Sequence, residues 1–243
     1  MDIKARRTIV IGATGFIGKA FCRLLVEDDY EVVVLSRSLE KVKETFGDRV
    51  SGVKWDGKTS RGWEDSANRA FAIINLAGEN LAQGRWTKKK KQSILESRLN
   101  AGQAVVEAVK SVPDKPKVLI QASAIGYYGS RQDEPLDEFS SPGEGFLSQV
   151  VQQWELSTQE VESLNVRRII CRSGLALGKE GGALPRLLLP FRFFVGGPLG
   201  RGKQWFSWIH LQDEVRAIRF LMERRDLSGV FNLASPNPLR QKD

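Results

Sequence analysis

Two spacings of apolar residues alternate along this chain. Thr8 to Ile11 is a short β-branched run, and Phe16 to Glu27 then carries Ile17, Ala20, Phe21, Leu24 and Leu25 at helical spacing. Glu31 to Leu35 holds the unbroken run Val32-Val33-Val34-Leu35, the form of a parallel strand covered on both faces. Further strands are expected at Val50 to Trp55, Ala72 to Leu76, Val118 to Ala122, Arg168 to Cys171 and Val230 to Leu233. Helices are expected at Trp86 to Lys110, Phe146 to Ser163, Gly182 to Phe193 and Leu211 to Glu223. Such alternation is the sequence form of stacked β-α-β units with right-handed crossovers. The expected fold class is α/β, a doubly wound parallel sheet of the Rossmann type, with a small substrate-side region near the C-terminus.

Composition narrows the picture. With 41% apolar and 27% charged residues among 243, a disordered or low-complexity chain is excluded. The two cysteines, Cys22 and Cys171, form no disulfide framework and suggest buried thiols in a reducing compartment. The apolar-looking stretch Ala183 to Val195 is cut by Pro185, Arg186, Pro190 and Arg192, so it is no membrane span. Met1 to Arg7 hold no signal-peptide core, and a cytoplasmic location is expected. The net charge of +8 includes the run Lys88-Lys89-Lys90-Lys91, which lacks the interleaved aromatics of a base-stacking surface and reads as a solvated helix face. Nucleic acid is therefore not the expected partner. A small anionic molecule uses positive potential equally well.

The chemistry starts behind the first strand, at Gly12-Ala13-Thr14-Gly15-Phe16-Ile17-Gly18. Gly12 suits the tight turn, Gly15 the approach of backbone to a pyrophosphate, and Gly18 close packing of helix on strand. Amides at the positive helix end then face the phosphates, so Gly12, Thr14, Gly15, Phe16, Ile17 and Gly18 are the expected dinucleotide-binding residues. At the end of the second strand an acidic residue would select NAD. Here stand Ser36-Arg37-Ser38, and an arginine suits a 2′-phosphate, which makes NADP(H) the expected cofactor. Arg37 as one more solvent-facing cation is the structural alternative. Residues 1–243 are expected to form a single NAD(P)-binding domain, with about 174–210 on the substrate side.

A resemblance joins these segments. Gly12 to Gly18, Asn75-Leu76-Ala77-Gly78-Glu79-Asn80, Arg85-Trp86, Ser97-Arg98, Gly126-Tyr127-Tyr128-Gly129, Trp154-Glu155 and Arg172-Ser173-Gly174 form a set. To it belong Gly181-Gly182-Ala183, Gly196-Gly197-Pro198-Leu199-Gly200 and Trp205-Phe206-Ser207-Trp208-Ile209-His210. The set resembles the extended and atypical short-chain dehydrogenases/reductases that include the NAD-dependent epimerase/dehydratases. Within them it is most similar to an epimerase-family branch described as nucleoside-diphosphate-sugar epimerases or cell-division inhibitors.

The resemblance implies that the backbone of Leu76, Ala77 and Gly78 lies beside the cofactor, and that Arg98 occupies a cofactor-binding helix position within reach of a phosphate or the nicotinamide ribose, with a solvated helix arginine as the structural alternative. Ser123 falls near the usual catalytic Ser/Thr, although the usual register falls on Ala124. The Tyr-x-x-x-Lys pair of active relatives falls on Leu147 and Val151, so both groups are absent. Tyr127 and Tyr128 are then the best placed substitute proton donors, after the fifth strand, and Ser123, Tyr127 and Tyr128 are the catalytic candidates. His210 and Asp213 fit a helix-capping segment, and no metal ligand set is suggested. The resemblance also implies helices beyond the Asn232 to Pro238 segment, whereas the sequence stops at Asp243, as a truncated product or as a chain without them. Two function classes follow. One is an NADP(H)-dependent oxidoreductase or epimerase acting on a small polar substrate, possible sugar nucleotides included; the other is a non-catalytic NADP(H)-binding regulatory or scaffold protein.

Overall fold

A computed structural model describes residues 6–82, 84–198 and 200–242. Leu199 of the glycine-rich motif and Met1 to Ala5 of the N-terminal segment lie outside the described residues. Seven strands form one parallel sheet: β1 (Thr8–Ile11), β2 (Val32–Ser36), β3 (Ser51–Lys54), β4 (Ala72–Asn75), β5 (Val118–Ala124), β6 (Arg167–Ser173) and, from late in the chain, Gly229–Leu233. The order is Gly229–Leu233, β6, β5, β4, β1, β2, β3. β1 pairs with β2 on one side and β4 on the other, so the winding reverses there and opens a crevice at the carboxyl ends of the strands. The doubly wound α/β expectation is met.

Alternation along each strand divides the core into two layers. Val10, Val34, Ile74, Ile120 and Ile169 pack with Phe21 and Leu25 of α1 (Phe16–Glu27) and with residues of the helix Leu211–Glu223. Ile9, Ile11, Val33, Leu35, Ile73 and Leu119 face the opposite layer, where Ala101, Ala104, Val105, Ala108 and Val109 belong to a helix of 24 residues, Lys88–Ser111. Small residues dominate that helix face and let it lie close to the sheet.

The helices between are α2 (Leu39–Phe46), α3 (Glu64–Ala67), α4 (Lys88–Ser111), α5 (Phe146–Leu156), α6 (Leu184–Arg192) and α7 (Leu211–Glu223). Sequence pattern overextended three of them, the helix expected over Gly182 to Phe193 spanning Leu184–Arg192. The helix expected from Trp86 starts at Lys88 because Thr87 caps it, its side chain accepting from the Lys90 amide at 3.2 Å. The helix expected to reach Ser163 ends at Leu156: Ser157 Oγ turns back to the Trp154 carbonyl at 2.6 Å, and a 3-10 turn follows at Gln159–Leu164. α2 was not foreseen, since only Val42 and Phe46 of its eight residues are buried.

The region after β6 builds small sheets off the carboxyl edge: β7 (Leu175–Gly178), β8 (Gly181–Gly182), β9 (Trp205–Phe206) and β10 (Trp208–His210). β7 lies between β8 and β10, while β9 pairs with Leu239–Arg240. The strand Gly229–Leu233 is β11, and Leu239–Arg240 is β12. Both cysteines are buried free thiols, and burial pushes Cys22 up to about 12. No helix of the described residues is long and apolar enough to cross a membrane.

Candidate functional site

At the crevice, the turn from β1 into α1 is dictated by its glycines. Gly12 adopts φ +83°, and a Cβ there would stand 2.6 Å from the Leu76 carbonyl oxygen. A Cβ on Gly18 would collide with the backbone of Gly12 and Ala13. Gly15 differs: its Cβ would meet only the Gly12 carbonyl, at 3.1 Å, and any larger side chain would fill the open cradle in front of the helix. The Gly15 amide donates to Gly12, and the first helical bond runs from Lys19 to Gly15, both at 3.0 Å. The amides of Phe16, Ile17 and Gly18 therefore have no helical acceptor. No side chain caps this helix end and no acidic residue stands in its first turn. Thr14, Gly15, Phe16, Lys19, Arg23 and Leu211 line a cleft of about 370 Å³ beside it. The ring of Phe16 packs over Gly178, Gly181 and Gly182 of the β7–β8 hairpin.

At the end of β2, Ser36 Oγ accepts from the Ser38 amide at 3.1 Å, and Ser38 in turn caps α2. This fixes the Ser36-Arg37-Ser38 turn and leaves the Arg37 side chain exposed. Lys54, at the end of β3, donates from its ammonium to the Arg37 carbonyl at 2.5 Å. Lys54 thus anchors the Arg37 backbone at this end of the crevice, and among the described residues neither side chain forms an ion pair. Sequence reasoning missed Lys54; its place at the end of an expected strand was the available signal.

Between these ends, Leu76 is anchored by its amide to the Ile11 carbonyl at 2.9 Å. Buried Asn75 accepts from the Ala77 amide at 3.3 Å and donates to Gln121 at 3.0 Å, which fixes the end of β4. Gly78 lies against the guanidinium of Arg98, and the Glu79 amide donates to Ser97 Oγ at 2.9 Å. Here the lysine run corrects its expectation. Lys88 and Lys89 are exposed, but Lys90 is 16% exposed and pairs with Glu79 at 2.6 Å, while Lys91 lies 5.1 Å from the Phe146 ring centre. The run is not uniformly a solvated face because the loop after β4 folds back on the start of α4.

The three catalytic candidates part company. Ser123, 5% exposed, donates its hydroxyl to Glu155. Glu155 holds Arg172 with both oxygens, at 2.8 and 2.9 Å. Arg172 also donates to the Tyr128 hydroxyl at 3.0 Å, and that hydroxyl donates to Asn232 at 2.6 Å. Burial pulls the Arg172 guanidinium down, but the bonds to Glu155 and Tyr128 outweigh it and leave the group more basic than usual. Ser123 and Tyr128 are thereby tied into a buried network joining α5, β5, β6 and β11. Tyr127 is half-buried, its ring 3.4 Å from the Arg172 guanidinium, and its hydroxyl has no hydrogen-bond partner among the described residues.

Across from these, α5 presents Val151 at 5% exposure and Leu147 at 37%, with no ionisable group at either position. His210 caps α7, its Nδ1 accepting from the Gln212 amide at 3.3 Å. Sequence reasoning missed Glu214, one turn on, which is 1% exposed. Burial raises its carboxyl to about 7 against the bond it accepts from Ser173, and Oε2 has no partner.

A strand-turn-helix glycine cradle at the switch point of a doubly wound sheet defines the class of Rossmann-type dinucleotide folds. The chain belongs to the NAD dependent epimerase/dehydratase family, whose model matches residues 8–234. It is 39% identical to the epimerase family protein YfhF of Bacillus subtilis over 232 residues, 95% of this chain and 75% of that protein. Human epimerase family protein SDR39U1 (isoform 2), solved with NADPH, is similar with a TM-score of 0.83 and 31% identity over 97% of this chain and 76% of the other. A nucleoside-diphosphate sugar epimerase from Corynebacterium glutamicum gives a TM-score of 0.82 at 29% identity, covering 98% of this chain and 48% of that one.

Proposed function

We propose that this protein binds NADP(H) across the carboxyl edge of its sheet and transfers hydride to or from a small polar substrate, as an oxidoreductase or epimerase. The observation that carries the reading is the open cradle at Gly15, with three unsatisfied amides behind it. The residues fit the cofactor: Gly12, Thr14, Gly15, Phe16, Ile17 and Gly18 would take the pyrophosphate. Leu76, Ala77 and Gly78 would line its path, and Ser36 and Arg37 with Lys54 would take a 2′-phosphate. The bound cofactor would supply the hydride. Residues 1–243 are read as one cofactor-binding unit, with about 174–210 on the substrate side. Support for that comes from Arg186 of α6, which donates to the Ala82 carbonyl at 2.9 Å and so reaches the loop after β4.

Proton exchange falls to Tyr127, because Ser123 and Tyr128 are already hydrogen-bonded to buried partners. The Tyr127 hydroxyl has no hydrogen-bond partner among the described residues, and the Arg172 guanidinium stands against its ring. The absence of ionisable groups at Leu147 and Val151 favours a second reading, a cofactor-binding regulatory protein without turnover. NADPH oxidation with a panel of carbonyl substrates decides between them. Slow turnover that falls at least about tenfold in Tyr127→Phe, or about 1.4 kcal/mol of barrier, supports the first. Binding without turnover supports the second, and full activity in Tyr127→Phe removes that phenol from the chemistry.

A further inference from the structure

Among the described residues two carboxyls are buried, and only one has a counter-ion. Glu155 is paired with Arg172, whereas Glu214 forms no ion pair. Ser173 donates its hydroxyl to one Glu214 oxygen, and the other, Oε2, is enclosed without a hydrogen-bond partner. A carboxylate with one donor and no cation is costly to bury, so the fold favours the protonated form. The helix that carries it, α7, packs against α1, β5, β6, β7 and β10. From β6 Glu214 meets the Ser173 hydroxyl and the Cys171 thiol. The three arginines of β6 are bonded elsewhere, Arg172 to Glu155, Arg168 to Glu162 and Arg167 to carbonyls at the far end of α7. β5 and β7 hold no ionisable residue, and His210 of β10 is engaged with the Gln212 amide. α1 brings buried Cys22, exposed Glu27, and Lys19 and Arg23, which line the cleft beside the glycine cradle. On α7 itself Asp213 and Arg216 are exposed, and Arg219 pairs with Asp28.

The Ser173–Glu214 bond closes a corner next to the cradle. Gly174 carries β6 into β7 within one residue, and β10 leads directly into α7, so the bond pins the first turn of α7 to the strands it springs from. Leu211, the first residue of α7, and Phe16, the first of α1, both lie against Gly178 of β7, where an added Cβ would stand 3.3 Å from one and 2.9 Å from the other. Leu211 also lines the cleft beside Gly15. One wall of that cleft therefore rests on a carboxyl about one helical turn away. We propose that Glu214 is a proton-operated latch on the cofactor cleft: protonated, it seats α7 on β6 and keeps the cleft in its binding form; ionised, it loosens that wall and weakens dinucleotide binding. This rests on reading the cleft as a dinucleotide site. Ionisation leaves a charge with a single donor in an apolar layer, and water reaches Oε2 only when the first turn of α7 moves. The same charge repels the pyrophosphate that the cleft receives. Both effects act in one direction. By linkage, the cofactor favours the protonated form, and binding above neutral pH takes up a proton.

The test is the pH dependence of NADPH and NADH affinity in the native protein, in Glu214→Gln and in Ser173→Ala, with NADH included because it lacks the titrating 2′-phosphate. Relative to Glu214→Gln, the native affinity for both cofactors should fall at least about tenfold between about pH 6 and about pH 8.5. Calorimetry in two buffers of different ionisation enthalpy should show proton uptake on binding at about pH 8 that Glu214→Gln lacks. Ser173→Ala removes the one donor to the ionised form and should move the midpoint of the fall to higher pH. A merely structural contact would weaken binding equally at every pH. Equal pH profiles in the native protein and Glu214→Gln, with cofactor bound by both, would overturn the latch and leave the dinucleotide reading in place. A native protein that binds neither cofactor at any pH overturns that reading and the latch with it. Should Glu214→Gln fail to fold, Ser173→Ala decides alone: a raised midpoint supports the latch, and a midpoint that stays where the native protein has it overturns the latch.

Discussion

The two ends of the crevice solve different problems with different residues. At the β1–α1 turn, recognition is built from backbone: glycines remove side chains, and helix amides are left without partners. At α5, where a proton-transfer pair would stand, there are Leu147 and Val151, and the polar groups behind them are consumed by one another. The first end leaves backbone amides without a protein acceptor. The second is organised for the stability of the chain itself. Open backbone donors and a closed side-chain network thus stand at two ends of one sheet edge.

The stability role of the second end gives the largest expected effect. Glu155→Ala leaves Arg172 buried without its anion and Ser123 without its acceptor, and should lower unfolding free energy in urea by about 3–5 kcal/mol. A loss below about 1 kcal/mol would mean that the network is not the scaffold described.

Glu214 supplies a pH-dependent version of the same contrast. Its carboxyl is raised from the ordinary 4.5 to about 7 by burial, so the folded state holds a proton that the unfolded state releases first. Its contribution is therefore fully present below about pH 4.5 and is lost as pH rises to about 7. Glu214→Gln removes this dependence. The stability of the variant relative to the native protein should rise by roughly 3 kcal/mol between pH 4.5 and pH 8. A difference that stays flat across that window would mean that Glu214 is ionised in the fold.

At the cradle, Gly15→Val should lower NADPH affinity at least about 100-fold, roughly 2.7 kcal/mol, because a branched side chain fills the space of a pyrophosphate. Its thermal midpoint should move by only a few degrees, since that Cβ meets a single backbone atom. Unchanged affinity would move the phosphate site elsewhere.

Much of the first end was legible in the sequence, and little of the second. Val32 to Leu35 announces a buried parallel strand because apolar continuity is local, and the glycine heptapeptide works through backbone at fixed spacing. The Ser123–Glu155–Arg172–Tyr128–Asn232 network draws on five positions spread over more than 100 residues, and nothing local marks them as neighbours. Arg98 could be named as a helix position but not as a buried cation, because its environment is made by Gly78 and Trp154 from other elements. α2 escaped notice because Ser36-Arg37-Ser38 reads as cofactor chemistry while Ser38 is also a helix cap.

The central claim is that the crevice binds NADP(H) with the 2′-phosphate beside Arg37. Fluorescence titration of the native protein and of Arg37→Ala with NADPH and with NADH tests it most directly. Charge-assisted hydrogen bonds of about 1.5–3 kcal/mol predict NADPH affinity at least about tenfold above that for NADH in the native protein, with most of the difference erased in Arg37→Ala. Equal affinities of the native protein for the two cofactors, or a preference that survives in Arg37→Ala, would contradict it.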